Sequence, residues 1–173
     1  MWRSRIVGAV LMFCVSQVFA QSITIALGAD VTSIDPHFHL LTPNANVAEH
    51  VFDTLIHKDD RQRMKPGLAL SWTPVDETTW EFKLRPGVKF HDGTAFTAED
   101  VVFSLDRPAT IKNSPGPYTI YTRAIAGKTI VDPLTVRFKT ATPYPLLPVE
   151  VGAVIIVSKK AAENANPEDF NSG

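Results

Sequence analysis

A chain of 173 residues, 45% apolar and 20% charged, has the balance of a folded globular protein and is neither disordered nor fibrous. Its 17 Lys and Arg face 18 Asp and Glu, for a net charge of -1. No basic run or basic–aromatic stripe occurs, which excludes nucleic-acid binding.

Met1 to Ala20 reads as a cleavable secretory signal. Arg3 and Arg5 give the positive start, Ile6 to Val15 the apolar middle, and Val18-Phe19-Ala20 a small-residue cleavage site before Gln21. The apolar run is shorter than the roughly 18–20 residues that span a bilayer. The only cysteine, Cys14, lies inside this signal, and its bulky neighbours Leu11-Met12-Phe13 do not suit lipoprotein processing. Disulfides and thiol catalysis are therefore not expected in residues 21–173, and the expected location is the periplasm.

Ile23, Ile25 and Leu27 alternate with polar or small residues and predict a first strand, ended by Gly28. Ala29 to Leu41 has no period and reads as a loop. Thr42-Pro43 predicts a helix start, with Ala48, Val51, Phe52, Leu55 and Ile56 on one face through His57. Lys58 to Lys65 is a charged, solvated loop. The stretch from Gly67 to Leu105 is the most informative. Trp80, Phe82 and Leu84 alternate with Glu81, Lys83 and Arg85 as a half-buried strand does. Pro86-Gly87 breaks that run, Val88 and Phe90 resume it, and Asp92-Gly93 breaks it again. Thr97-Ala98-Glu99-Asp100 is a helix start signal with carboxylates in the first turn. Val101, Val102 and Leu105 follow at helical spacing, and Pro108 ends the helix.

Ala109 to Thr122, with Pro115-Gly116-Pro117-Tyr118, supports no assignment, and irregular stretches of this length usually serve a function. Thr129-Ile130-Val131 and Thr135 to Lys139, joined through Asp132-Pro133-Leu134, predict a hairpin. Pro143, Pro145 and Pro148 predict an extended link. Val151 to Val157 is a candidate buried strand, Ser158 opens a short helix over Lys159 to Asn164, and Asn166 to Gly173 is polar.

Candidate chemistry is sparse. His37 and His39 put two imidazoles on one side of an extended segment, and His50 and His57 fall two turns apart on the predicted helix, roughly 10 Å, too far to share an ion. No cysteine partner and no His-Glu-x-x-His accompany them, so neither a metal nor another cofactor is expected. Asp92-Gly93 after His91 is a turn rather than an acid–base pair. Trp72 and Trp80 could line a sugar or peptide pocket, but Trp80, in an alternating strand, is read as core. Tyr118 and Tyr121 could stack on a ligand or pack their loop onto the domain. No nucleophile motif, phosphate loop or dinucleotide fingerprint is present, and catalysis is not expected.

The order Gly-Leu-Ala-x-Ser-Trp, Trp-Glu-Phe-Lys-Leu-Arg-x-Gly-Val-x-Phe-His-Asp-Gly and Phe-Thr-Ala-Glu-Asp-Val-Val-Phe-Ser, all within residues 67–105, resembles the bacterial extracellular solute-binding proteins of family 5, the peptide and nickel type. The resemblance implies a mixed, strand-rich α/β fold: the N-terminal part of a two-lobed periplasmic binding protein whose first lobe carries an extra domain. It implies that residues 21–173 supply the first strand of lobe one and most of the extra domain, truncated before lobe two. It further implies capture of a di- or oligopeptide, nickel complex, opine or oligosaccharide, delivery to an ABC permease in the inner membrane, and a monomer. In relatives the end of the first strand and an aromatic from the 109–122 region meet the ligand, which places Asp30, Val31 and Tyr118 near the solute. The competing expectation is a secreted β-rich scaffold module without a small ligand; a periplasmic enzyme ranks behind both.

Overall fold

The computed structural model describes residues 24–171; the signal segment Met1–Ala20 and Ile23 lie outside them. The centre is a four-stranded antiparallel sheet of β4 (Ala69–Pro74), β5 (Thr79–Leu84), β6 (Ile125–Asp132) and β7 (Thr135–Thr140), in the order β4-β5-β7-β6. Alternation sets its two faces. Trp72 pairs with Phe82, Phe82 with Val136 and Trp80 with Phe138, so these side chains share the inner face. The Phe82 and Phe138 rings, both fully buried, lie 5.1 Å apart and tilted, an arrangement that aromatic pairs favour. Glu81, Lys83 and Arg137 take the outer face. There the Glu81 carboxylate pairs with both cations, at 2.7 Å from Arg137 Nε and 3.2 Å from Lys83 Nζ.

Helix α2 (Ala98–Asp106) lies over the inner face and buries Val101 and Leu105. Its start is fixed as the sequence predicts. The Glu99 N–H donates to Thr97 Oγ1, and the Thr97 N–H donates to the Asp100 carboxylate at 2.9 Å. The Ala98 N–H bonds Pro133 O, tying the helix to the β6–β7 turn. The α-helix ends at Asp106, and Arg107–Ala109 forms a 3-10 turn around Pro108.

Several expected elements differ. Val88–Phe90 forms only a single bridge, Lys89 to Ala95, across the Asp92-Gly93 turn, with Gly93 at φ +82°. Val88 and Phe90 still pack against the core, so their alternation reports burial and not membership of the sheet. The helix predicted to reach His57 stops early: α1 is Thr42–Ala48, with Thr42 its first residue and Leu41 its cap. The chain then makes β1 (Asp53–Thr54) and β2 (Ile56–Lys58). β-Branched Val51, Thr54 and Ile56 favour extended backbone, and partners are available: β3 (Met64–Pro66) for β2 and β8 (Ile155–Ile156) for β1. The described part of the expected first strand forms no ladder here. Thr24–Leu27 is irregular and Ile25 and Leu27 are exposed, since no other described segment pairs with them. Pro148 sits in the first turn of α3 (Leu147–Val151) instead of an extended link. Only Ile155–Ile156 of the 151–157 run is strand, though Val154 to Val157 are all buried. Ser158 caps α4 (Lys159–Ala162) as predicted, and the polar tail forms α5 (Pro167–Asn171).

Candidate functional site

An open groove of about 1280 Å³ runs beside the β1–β8 ladder, exceeding the roughly 300–1,000 Å³ of an ordinary small-molecule pocket. Tyr118, Tyr121, His57, Phe90, Glu49 and Ile155 are among its lining residues. Tyr118 and Tyr121 stand at the two ends of a one-turn 3-10 helix, Tyr118–Tyr121, which Pro117 leads in extended backbone. Their rings meet at 6.1 Å. Tyr118 is buried, and burial, with Tyr121 and Glu49 adding to it, pushes its phenol up to about 12. It therefore remains a neutral, hydrogen-bonding aromatic at every physiological pH.

The 29–41 loop is irregular in backbone but closely tied. Asp35 and Arg107 are both buried and form a two-pronged pair: Arg107 Nη1 to Asp35 Oδ1 and Nη2 to Oδ2, each 2.8 Å. The Asp35 carboxylate also accepts the His37 N–H at 2.9 Å. His37 is fully buried, with Nε2 2.7 Å from Ile155 O and Nδ1 3.4 Å from Arg107 Nη1. A carbonyl can only accept and a guanidinium only donate, so these neighbours select the neutral imidazole with its proton on Nε2. Burial, reinforced by the Arg107 charge, lowers the His37 pKa from 6.5 to about 4. The His37 ring lies 6.1 Å from that of Tyr118. Farther along the loop, Leu40 N–H donates to Gly116 O at 2.8 Å and Ser114 Oγ to Phe38 O at 2.5 Å.

Of the residues expected near a solute, Tyr118 lines the groove, whereas Asp30 is exposed, Val31 is half-buried and neither lines it. Tyr121, read alongside Tyr118 as stacking on a ligand or packing its loop, lines it too. Trp72 and Trp80 pack against the main core. The histidines separate into different roles. His37 is locked in the Asp35–Arg107 cluster, His39 Nδ1 meets Thr32 Oγ1 at 3.1 Å, and His50 Nδ1 donates to Asn46 O at 2.6 Å. His57 pairs with Asp53 from β2, not from a helix shared with His50. Among the described residues no group of three or more His, Cys, Asp or Glu could hold a metal ion. The Asp35–His37–Arg107 cluster had no sequence signal, because its members lie 70 and 72 positions apart in a loop and at a helix end.

The family profile of bacterial extracellular solute-binding proteins, family 5 middle, matches residues 63–172. The chain belongs to this family. The resemblance read in residues 67–105 is thereby confirmed. A curated relative of this family 5 chain is the glutathione-binding protein GsiB of Escherichia coli (strain K12), 34% identical over 126 residues, which make up 72% of this chain and 24% of GsiB. Among solved structures, Haemophilus influenzae OppA in complex with the peptide RPPGFSPFR matches with a TM-score of 0.71 at 26% identity, over 79% of this chain and 30% of OppA. The Escherichia coli murein tripeptide binding protein MppA matches with a TM-score of 0.69 at 25% identity, over 78% and 30%. The chain thus spans about a quarter of the length of the curated relatives it matches.

Proposed function

We propose that this family 5 chain is the N-terminal part of the substrate-binding component of an ABC importer, which captures a di- or oligopeptide or a related small solute and hands it to an inner-membrane permease. The observation that carries this reading is the family match over residues 63–172, joined to a fold shared with a peptide-bound OppA. The Met1–Ala20 signal fits action in the periplasm, and the relatives are named as binding proteins rather than enzymes. In this reading residues 21–173 supply the first strand of lobe one and most of its extra domain, and the second lobe closes over the solute from the far side. Backbone groups at Asp30 and Val31 and the Tyr118 ring contribute the near side. A peptide's charged ends would find their partners largely outside this chain, and no single solute is favoured by the residues present.

The test uses the protein expressed from its complete gene. Its melting temperature is measured with dipeptides, oligopeptides, glutathione and a nickel–histidine complex in turn. A bound solute at one hundred times its Kd stabilises by about 2.7 kcal/mol through mass action, which is visible as a rise in Tm. Tyr118→Ala is expected to weaken the responding solute. No shift with any solute would refute the reading and favour the scaffold alternative.

A further inference from the structure

We propose that Arg107 is a positioning residue: one buried guanidinium sets the 30–41 loop against the segment carrying Tyr118, and so fixes the near side of the solute site. The proposal rests on the solute-binding reading above. All four N–H bonds of its two terminal nitrogens are spoken for. Nη1 serves Asp35 Oδ1 and His37 Nδ1, and Nη2 serves Asp35 Oδ2 and Ala165 O at 3.3 Å. The Phe170 ring covers the guanidinium at 4.8 Å. The 35–37 loop and the 165–170 stretch, distant from each other and from Arg107 in sequence, thus meet on a single side chain.

Stability alone is a poor reason for this arrangement. A buried ion pair costs desolvation that its attraction barely offsets, and apolar replacements are often as stable. What a two-pronged pair supplies is direction, because both planar groups are held in one orientation. Arg107 is well placed to transmit that direction. It follows directly on α2, whose carbonyl end favours a cation, and α2 is anchored at its other end by the Ala98 and Asp100 bonds to Pro133 O and the Lys159 N–H. From Arg107 the chain runs on to Ser114, Gly116 and Tyr118. The first two bond the loop backbone at Phe38 and Leu40, and Tyr118 packs against His37. The loop is therefore gripped from within by the guanidinium and from outside by the segment that follows it.

The test compares wild type, Arg107→Lys and the double variant D35N/R107Q in the full-length protein. The double variant removes both charges together and keeps polar groups of similar size. Lysine keeps the charge but not the fork. Hydrogen exchange is expected to show protection lost at the amides of His37 and Leu40, about tenfold or more in the double variant, with β5 and β7 amides unchanged. The Kd for the solute that stabilises wild type is expected to rise about tenfold in the double variant and by less in Arg107→Lys. A variant that melts cooperatively and binds with unchanged Kd would overturn the proposal, as would protection lost evenly over the whole chain. Should the double variant not fold, Arg107→Lys decides by the same two readouts. Wild type that binds no solute at all overturns both readings, whereas wild-type binding with unaltered variants overturns this one alone.

Discussion

Acid should destabilise this protein through His37 before most carboxylates are protonated. In the native state His37 is neutral and its pKa is about 4; in the unfolded chain it returns to 6.5. A depressed native pKa means that the unfolded state takes up the proton first. The full stability is present above pH 6.5 and drains away as pH falls toward 4, where the slope vanishes. Each unit of difference corresponds to about 1.4 kcal/mol, so the whole window is worth about 3 kcal/mol, a large share of the roughly 5–15 kcal/mol of a typical domain. His37→Gln provides the control. Its amide can donate to Ile155 O and accept from Arg107, as the neutral imidazole does, yet it does not titrate. Urea unfolding followed by tryptophan fluorescence, at intervals from pH 7.5 to 4, would give both stability curves. The wild-type curve is expected to fall by about 3 kcal/mol more than that of His37→Gln. All other titrating groups are common to the two proteins and cancel in the difference. Parallel curves would refute the reasoning.

Two further substitutions test the packing. Thr97→Ala removes one cap of α2 and is expected to cost about 1 kcal/mol. Asp100→Ala should cost more, because Asp100 also accepts the Lys159 N–H at 2.9 Å and so serves two helices; equal losses in urea unfolding would contradict that shared role. Gly67→Ala places a methyl carbon 2.6 Å from the Thr54 carbonyl oxygen and 2.8 Å from the His57 ring. The backbone must shift to admit it, so a loss of about 1–3 kcal/mol is expected, and an unchanged melting temperature would argue against so close an approach.

The legible parts of this fold are those whose partners are close in sequence. The β6–β7 hairpin, the alternation of Trp80 to Leu84, the Thr97 cap and the Ser158 cap all came through, because each rests on a local rule. The helix drawn through Val51 to His57 failed for the opposite reason. Leu55 and Ile56 are buried, as its apolar face required, but strands β3 and β8 compete for that stretch, and β8 lies a hundred residues further on. The site was less legible still. Tyr118 stood out as an aromatic in an unassigned loop, whereas Asp35 and His37 looked like ordinary loop residues. Their importance comes from Arg107 and from the Ile155 carbonyl, which no spacing rule connects to them.

The reach of those contacts bears on how the molecule comes into being. The carbonyl that receives His37 belongs to a residue 118 positions later, and the Asn171 side chain accepts the Ile34 N–H from 137 positions away. A polypeptide emerges from the ribosome amino end first, so its early thirties wait for their last contacts until nearly everything described here has been made. Contacts closed over such separations form late and slowly. Later-made pieces therefore complete the latch on one of the first, and a nascent chain held up before Ile155 has Arg107 for that loop but neither the Ile155 carbonyl nor the Asn171 side chain.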